Sequence, residues 1–332
     1  MVTALIVGAG AVGQVYGHYL QRGGASVSYF VKEQYKEECE KGFTLYRSRR
    51  SGLGHSEYFK ADAIYTEFSE LKDCEFDQVW LTVPSTALRG DCLPKLKAVI
   101  GDATVVMLQP DLDDRDFVMS VFPPEQVVCG IVNFISYQTP LPDLPDHHPD
   151  ADKHGVAYML MPMMTAEFSG SPERVPDVAE AMASGRFNVK VEKDATRAYA
   201  DRSAWMIPLV ASLELENWSF KRLQLSSTSL DLAVDAAKEA LHIVAAKFGK
   251  RQNWTERLFS LFWVKMALPL IRFLSPMDAE SFVKFHFMKT APQTRLMLRT
   301  FIDEGHKLGQ PTAHLESLLD KLPEEPVIKK AA

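Results

Sequence analysis

Three glycines and a lysine near the start of the chain have the types and spacing for dinucleotide chemistry. Gly8-Ala9-Gly10-Ala11-Val12-Gly13 reads G-x-G-x-x-G. In that pattern the first glycine permits a tight turn and the second lets the backbone approach a pyrophosphate. The third lets the following helix sit close on the preceding strand. Ala11 and Val12 open that helix, whose free N–H groups and partial positive charge suit phosphates. Gly8, Gly10, Ala11, Val12 and Gly13 are therefore the expected pyrophosphate contacts. Lys32 stands at the end of the next strand, where proteins that bind NAD carry an acid for the ribose 2′-hydroxyl. A lysine there meets a 2′-phosphate as a point charge, so NADP is the expected cofactor. His147, His148 and Asp150 lie in a proline-rich loop without ordered spacing, so no metal is expected.

The elements around these residues follow from periodicity. Residues 4–7 make a short apolar strand. Val12, Val15, Tyr16, Tyr19 and Leu20 recur at helical spacing up to Arg22, and a second strand runs over 26–31. Residues 78–83, 103–108 and 126–132 are nearly continuous apolar runs, the mark of parallel strands buried on both faces. Ligands of such sheets lie beyond the carboxyl ends of the strands. This adds Val83, Pro84 and Gln109 to the expected cofactor contacts. A small strand pair is expected at 43–46 and 57–59. A strand at 156–164, a helix at 176–184 and an edge strand at 189–191 follow. Beyond Thr196 strand signals stop, and helices are expected near 197–221, 228–249, 254–274, 277–289, 293–308 and 312–321. On this reading Asn217 and Lys221 extend the first of those helices. The organisation is α/β: a Rossmann dinucleotide-binding domain over 1–195, an all-helical domain over 196–322 and a tail over 323–332.

Composition narrows the class. With 332 residues, 46% of them hydrophobic and 24% charged, the chain suits a soluble protein of two domains. A net charge of −6 argues against a nucleic-acid partner. Cys39, Cys74, Cys92 and Cys129 are dispersed, which indicates neither disulfides nor zinc. No signal peptide is recognised, so the expected compartment is the cytoplasm. Residues 258–274 look apolar, but Lys265, Pro269 and Arg272 interrupt them and they are too short for a bilayer. A helix hydrophobic nearly all round must be buried somewhere, so a homodimer is expected.

G-A-G-A-V-G-x-x-Y-G followed by a helical domain resembles the ketopantoate reductase family. Lys32 falls where that family has a basic residue for the 2′-phosphate. Leu108-Gln109 matches the start of its L-Q-N-G segment, Asp194 precedes a helix as it does there, and Lys307-Leu308-Gly309-Gln310-Pro311-Thr312 resembles its K-L-G-V-P-T turn. The resemblance implies NADPH-dependent reduction of a carbonyl. The family's lysine and two asparagines on one helical face fall on Ser203, Ile207 and Ala211. Pro110 replaces the asparagine of L-Q-N-G, Pro84 a lysine, and Gln293 a glutamate, while its serine falls near Ser281. The expected substrate is therefore a 2-oxo acid or bulkier ketone other than ketopantoate. The carbonyl reduction that the resemblance implies leaves an alkoxide that needs a proton, so another donor must replace the lysine. Lys289 is the first choice and His286 the second; with Gln293 they stand at i, i+3 and i+7, in the region where the family contacts its substrate. Glu214, on the helical face of Ser203, is the third. The alternative is a degenerate NADP-binding sensor or scaffold. An opine or imine dehydrogenase would need a His–acid pair that the sequence does not identify.

Overall fold

The strand expected before the glycines forms as β1 (Thr3–Val7), followed by α1 (Ala11–Arg22) and β2 (Ser26–Phe30). The computed structural model describes residues 1–49, 52–145, 147–160, 165–249, 264, 266 and 279–323. The chain divides into two compact units, Met1–Pro140 with Leu144–Thr196, and Leu141–Asp143 with Arg197–Ala332.

In the first unit come α2 (Lys36–Glu40), β3 (Phe43–Arg49), β4 (Gly52–Phe59), β5 (Ala63–Tyr65), β6 (Gln78–Leu81), α3 (Ser85–Leu88) and α4 (Cys92–Lys97). They are followed by β7 (Thr104–Met107), α5 (Asp114–Val121), β8 (Val127–Gly130), β9 (Phe134–Thr139), β10 (Gly155–Leu160), β11 (Ala166–Gly170), α6 (Val175–Ser184) and β12 (Val189–Val191). Among the described residues one sheet of eight strands runs β12-β11-β8-β7-β6-β1-β2-β5. Its stretch from β5 to β8 is parallel throughout. The order β5-β2-β1-β6-β7-β8 is the doubly wound 3-2-1-4-5-6 arrangement, which reverses beside β1 and opens a crevice at its carboxyl end.

Alternation along the strands builds two cores at once, because successive side chains point to opposite faces. Ile6, Trp80, Val106 and Val128 pack with Val15, Tyr16 and Leu20 of α1 on one face. Leu5, Val79, Leu81, Val105 and Val127 pack with Leu88, Leu96 and Val118 on the other. Both faces are covered, which is why these segments read as continuous apolar runs.

The strand pair expected between residues 43 and 59 is not isolated. It belongs to a second sheet, β4-β3-β10-β9, with β10 parallel to β3 and antiparallel to β9. This sheet lies against α1. The sequence pattern did not mark β9 or β11 as strands. Neither has the continuous apolar run of the central strands: β9 reads F-I-S-Y-Q-T and β11 A-E-F-S-G, with polar residues interleaved.

Beyond Thr196 the described residues are helical: α7 (Ala195–Leu215), α8 (Phe220–Leu225), α9 (Ser227–Lys247), α10 (Ala279–Lys289), α11 (Ala291–Leu308) and α12 (Ala313–Lys321). The α7 helix stops earlier than its pattern predicts. Asn217 and Trp218 take φ of 51° and 62°, so the chain turns, and Asn217 and Lys221 do not extend its face. In the L-G-Q-P-T segment, Gly309 takes φ of 64° and closes α11, with the Gln310 N–H donating to the Gly305 carbonyl at 2.8 Å. Only a glycine adopts that conformation without strain. Glu239, buried on α9, accepts from the N–H groups of His314 and Leu315 at the start of α12. The helix read at 254–274, whose apolar stretch 258–274 is the basis for a homodimer, lies outside the described residues apart from 264 and 266, as do 324–332 of the tail. Among the described residues, no helix is long and apolar enough to cross a membrane.

Candidate functional site

The chemistry of the G-x-G-x-x-G segment is visible in its backbone. Gly8 has φ of 100°, its N–H donates to the Phe30 carbonyl at 2.9 Å, and the chain turns there from β1 into α1. Gly10 is extended, with φ −67° and ψ 178°, and no side chain caps the N-terminus of α1. A Cβ built on Gly10 would meet nothing within 4 Å, so the approach to the first free N–H groups of α1, those of Ala11, Val12 and Gly13, is clear at this glycine. A Cβ on Gly13 would overlap the Gly8 carbonyl oxygen and lie 2.7 Å from Thr82 Oγ1. The three glycines thus have three different physical reasons, and together they fit a pyrophosphate held at a helix N-terminus.

Two residues outside the pattern set this turn. The Thr82 hydroxyl lies 2.9 Å from the Val7 carbonyl and 2.8 Å from that of Gly8, tying the end of β6 to the turn. Tyr29 Oη donates to the Gly13 carbonyl at 3.1 Å. A Cβ on Gly17 would overlap that phenol oxygen, which accounts for the fourth glycine of G-A-G-A-V-G-x-x-Y-G. Thr82 had a signal in the sequence: it is the one hydroxyl in the apolar run from Val79 to Val83.

The ends of β6 and β7 are pinned together. The Gln109 carboxamide donates to the carbonyls of Leu81 and Val83 at 2.8 and 2.7 Å and accepts from the Leu108 N–H. Both of its N–H donors are spent on strand ends, so Gln109 shapes the crevice rather than offering a free donor to it. Val83 is half-buried and Pro84 exposed, where β6 leads into α3. Just beyond, Asp114 accepts from Ser85 Oγ at 2.7 Å, Arg89 Nη1 at 2.6 Å and the Asp111 N–H at 2.8 Å. Arg89 also pairs with Asp113 and stacks on Phe117. Asp111, Asp113 and Asp114 come close enough to hold a cation, but Arg89 already supplies their counter-charge. Lys32 is exposed at the end of β2 and has no acidic partner among the described residues.

The second unit's candidates are disposed as follows. The face shared by His286, Lys289 and Gln293 does not form, because α10 ends at Lys289 and α11 begins at Ala291. Thr290 at the junction leaves helical geometry (φ −106°, ψ 18°), so Gln293 belongs to another helix. Lys289 is exposed. Burial, with the Lys289 ammonium adding to it, pushes the His286 imidazole down to about 4. It is therefore neutral at pH 7 and cannot serve there as an imidazolium acid. Unfolded, the ring takes a proton near its ordinary 6.5. Folded-state stability is then complete above about pH 6.5 and declines as pH falls toward 4, by at most about 3.4 kcal/mol. His286→Gln is expected to flatten that decline in denaturant melts run between those two pH values.

Glu214 forms a buried ion pair with Arg295. Nη2 and Nη1 reach its two oxygens at 2.7 and 3.2 Å, and the side chains are 6% and 4% exposed. A carboxylate held in this way is a structural partner and is not available as a proton donor. Ser203, Ile207 and Ala211 are buried at 1%, 2% and 0% exposure, and the Ser203 hydroxyl has no hydrogen-bond partner among the described residues.

Comparison with known proteins agrees with this architecture. Residues 4–142 match the family model described as ketopantoate reductase PanE/ApbA. No protein of curated function matches the chain in sequence. Among solved structures, a PanE/ApbA family ketopantoate reductase from Ralstonia eutropha JMP134 superposes with a TM-score of 0.72 at 17% identity, covering 97% of each chain. A 2-dehydropantoate 2-reductase from Methylococcus capsulatus gives 0.68 at 18% identity, over 96% of this chain and 95% of that one. D-mandelate dehydrogenase with NADH and anilino(oxo)acetate gives 0.72 at 12% identity, over 97% of each chain. At these identities the structural likeness is one of fold.

Proposed function

From that family match over residues 4–142, we propose that the chain is an NADPH-dependent oxidoreductase that reduces a small carbonyl, a 2-oxo acid or a bulkier ketone. The observation that carries the reading is the open, uncapped start of α1 at Gly10, next to a turn that Thr82 fixes. A bound dihydronicotinamide supplies a hydride to the carbonyl carbon of the substrate. The chain's own residues do the rest. The N–H groups of α1 hold the pyrophosphate, Gln109 and Thr82 keep the strand ends in place, and Lys32 meets the 2′-phosphate. Lys289 gives a proton from Nζ to the carbonyl oxygen as it becomes a hydroxyl. The preference for NADP over NAD rests on Lys32 alone, since a solved structure of the same fold holds NADH. That structure also holds anilino(oxo)acetate, whose carboxylate beside a carbonyl has the layout of a 2-oxo acid. Apolar Ile207 and Ala211 favour a substrate less polar than ketopantoate. The cytoplasm as compartment belongs to the same proposal.

Binding titrations with NADPH and NADH test the cofactor, and a turnover screen over 2-oxo acids and bulkier ketones tests the reaction. Lys289→Met is expected to lower kcat by about 100-fold or more, with NADPH affinity unchanged. Unchanged turnover would remove Lys289 from the mechanism. NADPH binding with no turnover across the screen would support the sensor reading instead.

A further inference from the structure

The corner of the nucleotide turn at the end of β2 holds two acids as well as two lysines, an arrangement poorly suited to a phosphate at first sight. Glu33 directly follows Lys32, and Glu70 faces the same corner from the segment after β5. Their side chains are not free. The Thr66 hydroxyl donates to Glu33 Oε2 at 2.5 Å. The N–H groups of Thr66 and Glu67 donate to Glu70 Oε2 at 2.7 and 2.9 Å. Those two backbone bonds, with Lys36 nearby, hold the Glu70 carboxyl below the usual carboxylate range. Thr66 stands immediately after β5, whose Tyr65 pairs with Phe30 of β2. The Val31 N–H also donates to the Tyr65 carbonyl at 2.9 Å. The sheet therefore fixes Thr66 beside the end of β2 and Glu33, and Lys32 remains the exposed charge there without an acidic partner among the described residues.

We propose that Thr66 is a positioning residue for cofactor selection, tethering the Glu33 carboxylate away from the 2′-phosphate so that Lys32 meets it unopposed. The inference rests on the NADPH reading above. A carboxylate released next to a doubly charged phosphate repels it, whereas a ribose 2′-hydroxyl is indifferent to it or accepts it as a partner. Loss of the tether is thus specific to NADPH and is mediated by Glu33.

The test is a double-mutant cycle on the full-length protein, with Kd for NADPH and NADH measured for wild type, Thr66→Val, Glu33→Gln and the pair. Valine keeps the shape of threonine and removes only the hydroxyl, and thermal melts check that every variant is folded. Thr66→Val is expected to weaken NADPH about three- to tenfold and to leave NADH within about twofold. Glu33→Gln alone is expected to change NADPH affinity by less than about twofold, and in the Thr66→Val background to restore it. An unchanged NADPH-to-NADH ratio in Thr66→Val would overturn the proposal. So would a loss that Glu33→Gln does not rescue. If wild type binds neither dinucleotide, or prefers NADH, the cofactor reading itself has failed. A silent Thr66→Val in a wild type that prefers NADPH defeats the tether alone.

Discussion

Alanine at Gly10 is expected to abolish dinucleotide binding in a protein that remains fully folded, whereas alanine at Gly13 damages both binding and folding. Gly10 has φ −67° and ψ 178°, which any L-residue adopts, and a methyl there meets nothing in the free protein. Its stability change should stay within about 0.5 kcal/mol. The same methyl occupies the space through which a pyrophosphate reaches the N–H groups of α1. Two charge-assisted hydrogen bonds at about 1.5–3 kcal/mol each correspond to a loss of affinity of about 100-fold or more. At Gly13 the methyl overlaps a carbonyl oxygen, and that oxygen cannot retreat, because Thr82 Oγ1 holds it at 2.8 Å. The overpacking costs about 1–3 kcal/mol, partly offset by the helix preference of alanine over glycine. Calorimetric binding and thermal melts of the two variants separate the effects. Wild-type NADPH affinity in Gly10→Ala would remove the pyrophosphate from this turn.

The largest stability effect is expected at Arg295. Removing one partner of a buried ion pair leaves the other charge uncompensated, at a cost of about 3–5 kcal/mol. Arg295→Ala strands Glu214 at 6% side-chain exposure, and it also removes the donor to the Pro323 carbonyl. The double replacement Glu214→Leu with Arg295→Met removes both charges and keeps the volume, so it should recover most of that loss. Urea unfolding of Glu214→Leu, Arg295→Met and the double variant reads the cycle, with Arg295→Ala measured beside them. A Glu214→Leu change that stops turnover while Arg295→Met spares it would contradict the structural assignment of Glu214 and return it to the chemistry.

Where the protein's structure is local, its sequence was legible. The apolar runs of β1, β6, β7 and β8 announce strands covered on both faces, and G-x-G-x-x-G follows the first of them at the distance a strand-turn-helix unit needs. Gly8, Gly10 and Gly13 then carry their roles in their spacing alone, since each role is set by backbone within a few residues. The helical repeats after Thr196 were equally readable, because the helix period is local. Their ends were less so. Asn217 and Trp218 take positive φ without being glycine, so the first of those helices ends before its pattern does, whereas the break at Thr290 falls between the helices read at 277–289 and 293–308.

The second sheet was not legible, nor was the setting of the polar side chains. Joining β3 to β10 brings together segments more than a hundred residues apart, and no periodicity records such a partnership. The same holds for Glu214, a candidate proton donor by type and spacing until Arg295, 81 positions away, closes on it. Thr66 and Glu33 are an unremarkable pair in the chain and share a hydrogen bond only because β5 lies beside β2. By itself the sequence determined the α/β class, the nucleotide turn and the buried parallel strands around it, because backbone geometry and hydrophobic period act over short distances. Tertiary structure alone decided which charged groups are neutralised and which stay free, because a charge is satisfied by whatever lies near it in space.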